Sequence, residues 1–324
     1  MKLRFMLAVV ALVGALAAPA GARADDSDAV HYYLSLGDSL AASVQPNGDF
    51  EHGYAEQLYA TLKVDDPTLR LVKLGCGGET TLSMVDPYLP FEGRGARYFC
   101  DFPHGSQLAE AVDFLHAHAG FVRVVTIDIG ANDVFQFGDR APEVIRANLP
   151  RILADLGAAA GPDVPIVAMN YYDPFLPDVW DRSRDIGALQ AEIRSVVALN
   201  DSLEGIYAAA GDPVADVEET FRVTDTTLVD GVPLDVSIEC AWTWFCSNGD
   251  VHANTIGYGA IAQALGVVLN LPYVDDVYTK PIVGLPQYSC PQNYGPQLLG
   301  YLPANDPLWA YDKNHDTVIC KRIH

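Results

Sequence analysis

Five short runs rich in apolar, β-branched and aromatic residues, at 31–37, 69–74, 122–129, 165–170 and 213–217, are separated by polar or glycine-containing breaks. Between them lie stretches whose apolar residues recur every three or four positions, at 53–64, 106–118, 141–160, 184–210 and 254–269. The first class has the length and composition of buried strands, the second the period of amphipathic helices. Their alternation predicts an α/β chain whose mostly parallel five-stranded sheet is covered by helices. Half of the 324 residues are hydrophobic, enough for a large core, and the pattern predicts one domain over 25–271. After Leu271 it gives way to Pro, Tyr and Gly, so 272–324 read as a C-terminal tail or extension packed on that domain.

The first residues change the picture of where this domain works. Lys2 and Arg4, the apolar stretch from Phe5 to Ala18, and Ala22-Arg23-Ala24 ahead of an acidic cluster from Asp25 form the three parts of a signal peptide over residues 1–24. The apolar run is short of the roughly 20 residues a membrane span needs. Removal of the peptide, a secreted mature chain and no stable membrane insertion are therefore expected. The chain carries 20 Lys and Arg against 42 Asp and Glu, a formal charge of −22, and loss of Lys2, Arg4 and Arg23 with the peptide makes it more acidic still. Nucleic-acid affinity comes mainly from Lys and Arg neutralising phosphates, so nucleic acid is not an expected partner. A monomer is expected.

Six cysteines (Cys76, Cys100, Cys240, Cys246, Cys290 and Cys320) in an exported chain read as disulfides. Many pairings are possible, and sequence order suggests Cys76–Cys100, Cys240–Cys246 and Cys290–Cys320, each stapling one loop. There is no CxxC pair and no HExxH helix, so neither a metal nor a cofactor is expected.

In parallel sheets, chemistry collects where strands end. The first four runs exit into Gly37-Asp38-Ser39-Leu40, Gly75-Cys76-Gly77-Gly78-Glu79-Thr80, Gly130-Ala131-Asn132-Asp133 and Asn170-Tyr171-Tyr172-Asp173. A serine hydroxyl becomes nucleophilic when a neighbouring base takes its proton, and acyl transfer also needs donors aimed at the developing oxyanion. Ser39 is the candidate nucleophile, the Gly78 N–H and the Asn132 amide are candidate donors, and His252, just ahead of the last predicted helix, is the candidate base. Each signal alone is weak, since a turn, a backbone requirement or a helix cap accounts for it equally well. Their joint occurrence in order is the informative feature.

With these residues in view, the chain resembles the SGNH hydrolases, the GDSL-type esterases and lipases. Leu36-Gly37-Asp38-Ser39-Leu40, Leu74-Gly75-Cys76-Gly77-Gly78-Glu79-Thr80-Thr81, Ile129-Gly130-Ala131-Asn132-Asp133 and Asp250-Val251-His252-Ala253-Asn254 match four family blocks in order. The resemblance covers about Tyr32 to Leu269. It implies a flavodoxin-like three-layer α/β/α sandwich, an acyl-enzyme on Ser39, and an oxyanion hole from the Ser39 N–H, the Gly78 N–H and the Asn132 side chain. The substrate would be a small-molecule or lipid ester. A carbohydrate O-acetylesterase and an inactive secreted ligand-binding protein on the same scaffold are the alternatives.

One departure matters. The family pattern puts an Asp three residues before the histidine, where this chain has Gly249, with Asp250 one step closer. Two residues is a short reach for a side chain, so the expectation is that a backbone carbonyl near Gly249 or Asp250 orients His252. Some secreted actinobacterial-type members, which the chain resembles in its three expected disulfides, use such a Ser-His dyad. Asp250 remains the alternative acid. Trp242, Trp244 and Phe245, in the Cys240 to Cys246 loop, either line an acyl pocket or pack the loop, and Tyr171, Tyr172 and Asp173 either border the cleft or pack the sheet edge.

Overall fold

The computed structural model describes residues 29–86, 100 and 102–271, and the backbone of three further strands at 277–281, 294–298 and 317–322. The signal-peptide segment and Cys290 lie outside the described residues.

The predicted strands form as β1 (Tyr32–Gly37), β2 (Arg70–Lys73), β3 (Val122–Asp128), β4 (Ile166–Met169) and β5 (Val214–Ala215). All neighbours pair in parallel, in the order β2-β1-β3-β4-β5. β1, β3 and β4 are buried along nearly their whole length, which is why they read as continuous apolar runs: helices cover both faces. In chain order the helices are α1 (Tyr54–Asp65), α2 (Thr81–Val85), α3 (Gln107–Ala117), α4 (Ala131–Phe137), α5 (Ala141–Ala160), α6 (Leu176–Ser183), α7 (Ile186–Ala210), α8 (Val217–Thr220), α9 (Leu234–Trp242), α10 (Phe245–Asn248) and α11 (Thr255–Val268). α1 packs against α11, whereas α3, α5 and α7 pack side by side as a separate layer. The architecture is the expected α/β sandwich.

The helices obey their local sequences. α5 buries Ile145, Leu149, Ile152, Leu153 and Leu156 along one stripe, the helical spacing that identified it. α7 starts where the Asp185 carboxylate accepts the Gly187 N–H at 2.6 Å and stops at Gly211, whose φ of 87° ends the helix in the left-handed region. The order of strands reverses direction between β1 and β3, so their C-terminal ends open a crevice there.

Three more strands follow Leu271. Val277–Pro281 (β8), Tyr294–Leu298 (β9) and Thr317–Arg322 (β10) form a three-stranded antiparallel sheet in the order β8-β10-β9, following a short hairpin of β6 (Leu228–Val229) and β7 (Val232–Pro233). The Pro and Gly residues scattered through this part hide the strand period, yet Thr, Val, Ile and Tyr supply enough β-forming positions for pairing.

Candidate active site

β1 ends at Gly37, whose φ is 132° and where a Cβ would stand 2.1 Å from the Asp128 carbonyl oxygen. Only glycine allows β1 and β3 to converge this closely. The chain then folds into a tight turn. The Asp38 N–H donates to the Asp128 carbonyl at 3.1 Å, and the buried Asp38 carboxylate accepts the Leu40 N–H at 2.9 Å and the Tyr171 hydroxyl at 3.0 Å. Ser39 sits half-buried in this turn, its own carbonyl accepting the Val44 N–H at 2.9 Å.

Beneath it, Asp128 accepts a short hydrogen bond from the Tyr54 hydroxyl and contacts the Asp38 carboxyl. Two buried carboxyls in contact do not both ionise. Burial, then the charge of Asp38, holds Asp128 well above the ordinary carboxyl range, and burial raises Asp38 as well. Sequence inspection missed Asp128, although an acid inside an apolar strand was a visible signal.

The glycine block is tied to the same place. The Cys76 N–H donates to the Gly37 carbonyl at 3.0 Å, and Cys76 is bonded to Cys100. Gln107, also missed, clasps both segments: its Oε1 accepts the Gly37 N–H at 2.6 Å, while its Nε2 donates to the Gly37 carbonyl at 2.9 Å and to Glu79 Oε2 at 3.1 Å. Gly78 has a φ of 77°, a left-handed conformation that suits glycine. Asp133, next to Asn132, accepts the Thr81 N–H at 2.9 Å and the Thr81 hydroxyl at 2.6 Å. It therefore joins the asparagine block to the helix that follows Gly78.

His252 precedes α11, whose first turn is capped by Asn254: the side-chain oxygen accepts the Ile256 and Gly257 N–H groups. The expectation that Asp250 is too near in sequence to reach the imidazole is corrected by the geometry. Asp250 Oδ1 lies 2.6 Å from His252 Nδ1 and accepts the His252 N–H at 3.0 Å. The chain turns back on itself after Gly249, whose φ is 67°, and the side chain follows the turn. Burial raises Asp250, but the hydrogen bonds from the His252 ring and N–H and the imidazole charge outweigh it, leaving Asp250 below its ordinary range.

Ser39, Asn132 and His252 line one cleft of about 220 Å³. Gly78 is not among its lining residues and is linked to it through the Gly37 and Thr81 contacts above. Tyr171, Tyr172 and Asp173 do line the cleft, with Val134, Phe135, Phe175, Val196 and Leu199 as apolar walls. Trp242, Trp244 and Phe245 do not. Trp242 packs edge-on against Phe221 at 5.1 Å, Phe245 backs Phe175 at 5.7 Å, and the Trp244 ring N–H donates to Gln45 Oε1 at 3.0 Å. The Cys240–Cys246 bond is present, but the loop it staples packs behind the cleft wall. Among the described residues, no group of three or more His, Cys, Asp or Glu is arranged to hold a metal, and no helix is long and apolar enough to cross a membrane.

Burial pushes Asp133 up to about 6, and Asp173 and Asp235 up to about 7. Because these values exceed those of the unfolded chain, the folded state binds more protons, and stability from these groups is lost as pH rises through their folded values. The melting temperature is therefore expected to fall between pH 5 and pH 8. Asp235→Asn, which cannot ionise, should fall less steeply in thermal melts across that range; an unchanged slope would contradict the assignment.

The sequence profile of the GDSL-like lipase/acylhydrolase family matches residues 35–260. No curated protein sequence matches the chain. Among solved structures it is similar to the lipase Lip_vut3 from a goat rumen metagenome (17% identity, TM-score 0.46, covering 76% of this chain and 100% of that one). It is also similar to an extracellular lipase from Streptomyces rimosus (19%, 0.45, 75% and 100%) and to a carbohydrate acetylesterase family member from Sinorhizobium meliloti (16%, 0.43, 74% and 98%). The family profile spans most of the chain and includes the serine turn, the glycine and asparagine blocks and the histidine that precedes α11, so the chain belongs to the GDSL-like lipase/acylhydrolase family and is a carboxylic ester hydrolase.

Proposed function

We propose that the chain is an exported serine esterase or lipase working through a Ser39 acyl-enzyme, with His252 as general base and Asp250 as the acid that orients it. The observation that carries this reading is the 2.6 Å contact between Asp250 Oδ1 and His252 Nδ1, on an imidazole that shares its cleft with Ser39 and Asn132. With Nδ1–H held by Asp250, the lone pair of Nε2 is free to take a proton.

His252 takes the Ser39 proton as Oγ attacks the ester carbonyl, and the oxyanion is met by the Ser39 N–H, the Gly78 N–H and the Asn132 side chain. Collapse expels the alcohol, which receives the proton from His252. Water, activated by the same imidazole, then releases the acid and restores Ser39. The buried Asp38–Asp128 pair and the Gln107 clasp keep the donors in place, so little reorganisation is needed as charge develops. Val134, Phe135, Phe175, Val196 and Leu199 supply an apolar wall for an acyl chain. The paired cysteines and acidic surface suit an oxidising extracellular setting, and residues 272–324 form a C-terminal extension of the hydrolase domain.

A fluorophosphonate probe tests the reading: it should label the protein at Ser39 and fail after heat denaturation, and an intact protein that neither takes the label nor hydrolyses p-nitrophenyl acetate would overturn it. Comparing acetyl with long-chain p-nitrophenyl esters then separates an acetylesterase from a lipase. Removal of one oxyanion donor by Asn132→Ala is expected to lower kcat by about 10²–10³ with little change in KM. A defect confined to KM would show that Asn132 binds substrate without stabilising the oxyanion.

A further inference from the structure

Three acidic residues and no Lys or Arg line the cleft. Asp38 is committed to the Ser39 turn through Leu40 and Tyr171. The other two are Asp173, in the loop after β4, and Glu192, on α7. Asp173 is only 4% exposed. Its Oδ1 accepts the Phe175 N–H at 3.0 Å, but its Oδ2 is buried without a hydrogen-bond partner. Among the described residues the half-buried Glu192 carboxylate has no hydrogen-bond or ion-pair partner.

Two further acids lie behind Asp173. Glu239 and Asp235 on α9 are fully buried, and each also leaves one carboxyl oxygen unpartnered. Glu239 Oε1 accepts the Asp173 N–H at 3.1 Å, which joins these two acids. Burial, opposed by the hydrogen bond from the Phe175 N–H and aided by the Glu192 charge, pushes Asp173 up to about 7. A buried carboxyl without a partner costs free energy, which a positive charge delivered beside it would offset. The cleft also offers the Phe175 ring, with Phe135 edge-on to it at 5.9 Å, and aromatic faces favour diffuse organic cations.

We propose that Asp173 and Glu192 form a subsite for a cationic group, a quaternary ammonium or protonated amine, carried by the ester substrate. The inference rests on the ester-hydrolase reading and gives it a substrate class. The apolar neighbours Val196 and Leu199 suit an alkylated ammonium better than a hydrated metal ion. Anionic esters are disfavoured by the same acids and by the chain's overall charge of −22.

The test compares kcat/KM for acetylcholine with that for its uncharged isostere 3,3-dimethylbutyl acetate. The wild-type protein should favour the cationic ester by roughly tenfold or more, a size typical of a desolvated cation–π and carboxylate contact. Glu192→Gln and Asp173→Asn should each lower that ratio severalfold. Phosphatidylcholine and phosphatidylglycerol micelles locate the cation. A Glu192-dependent preference for phosphatidylcholine places it on a lipid headgroup, and one confined to acetylcholine places it on a small ester; either upholds the subsite. Equal rates within both substrate pairs, or ratios unmoved by both variants, overturn it. Tetramethylammonium titrated calorimetrically into Ser39→Ala protein probes the subsite without catalysis: heat of binding lost in Ser39→Ala/Glu192→Gln supports it, and absence of binding to Ser39→Ala counts against it. Fluorophosphonate labelling of the wild type reports on the catalytic reading separately.

Discussion

Ser39→Ala and His252→Ala are each expected to lower kcat by roughly 10⁶-fold, and the double variant to lose no more than the worse single one. The hydroxyl and the imidazole act as one unit: without the base the serine stays protonated, and without the serine the base has nothing to activate except water. What survives is the smaller contribution of the oxyanion donors and substrate binding, because Asn132 and the turn that presents the Ser39 N–H remain. KM should change little, since neither side chain supplies the apolar wall of the cleft. Steady-state hydrolysis of p-nitrophenyl acetate by the three variants measures this. A double variant whose loss equals the product of the single losses would mean that the two groups act independently, and the proposed proton transfer would be wrong.

Asp250→Asn is expected to lower kcat by roughly 10⁴-fold. Asp250 Oδ1 accepts both the ring Nδ1–H and the backbone N–H of His252, so it fixes the tautomer that leaves Nε2 as the acceptor. It also offers a negative charge to the imidazolium formed on proton transfer, and its depressed pKa keeps that charge in place at neutral pH. An asparagine amide has the same shape without the charge. If its NH₂ turns toward Nδ1, it stabilises the opposite tautomer and puts the proton on Nε2. A loss below tenfold, with the protein folded and still labelled at Ser39, would return the orienting role to a backbone carbonyl.

The difference between the expected dyad and the observed contact shows where sequence reading stops. Separation along the chain suggests that two residues cannot bridge to an imidazole. The left-handed turn at Gly249 (φ 67°) and the cap of α11 by Asn254 decide the direction of the side chain, and neither is encoded in spacing. The aromatic wall is a similar case. Trp242, Trp244 and Phe245 lie close to His252 in sequence, yet the cleft takes Phe175 and Phe135 from α4 and the loop after β4, because strand ends converge there while the disulfide-stapled loop packs behind.

The chain's own order of residues determined the alternation of strands and helices, the parallel sheet, and the four blocks that carry Ser39, Gly78, Asn132 and His252. Those features are local: periodicity and glycine-rich exits follow from which faces a strand or helix must bury and where the backbone must turn. Tertiary structure alone decided the partners of the buried polar groups. Asp38 meets Asp128 across 90 positions, Gly37 meets Gln107 across 70, and Thr81 meets Asp133 across 52. Hydrogen bonds of that kind depend on distances set by packing, to which the one-dimensional pattern is blind, and they govern which buried polar groups find a partner.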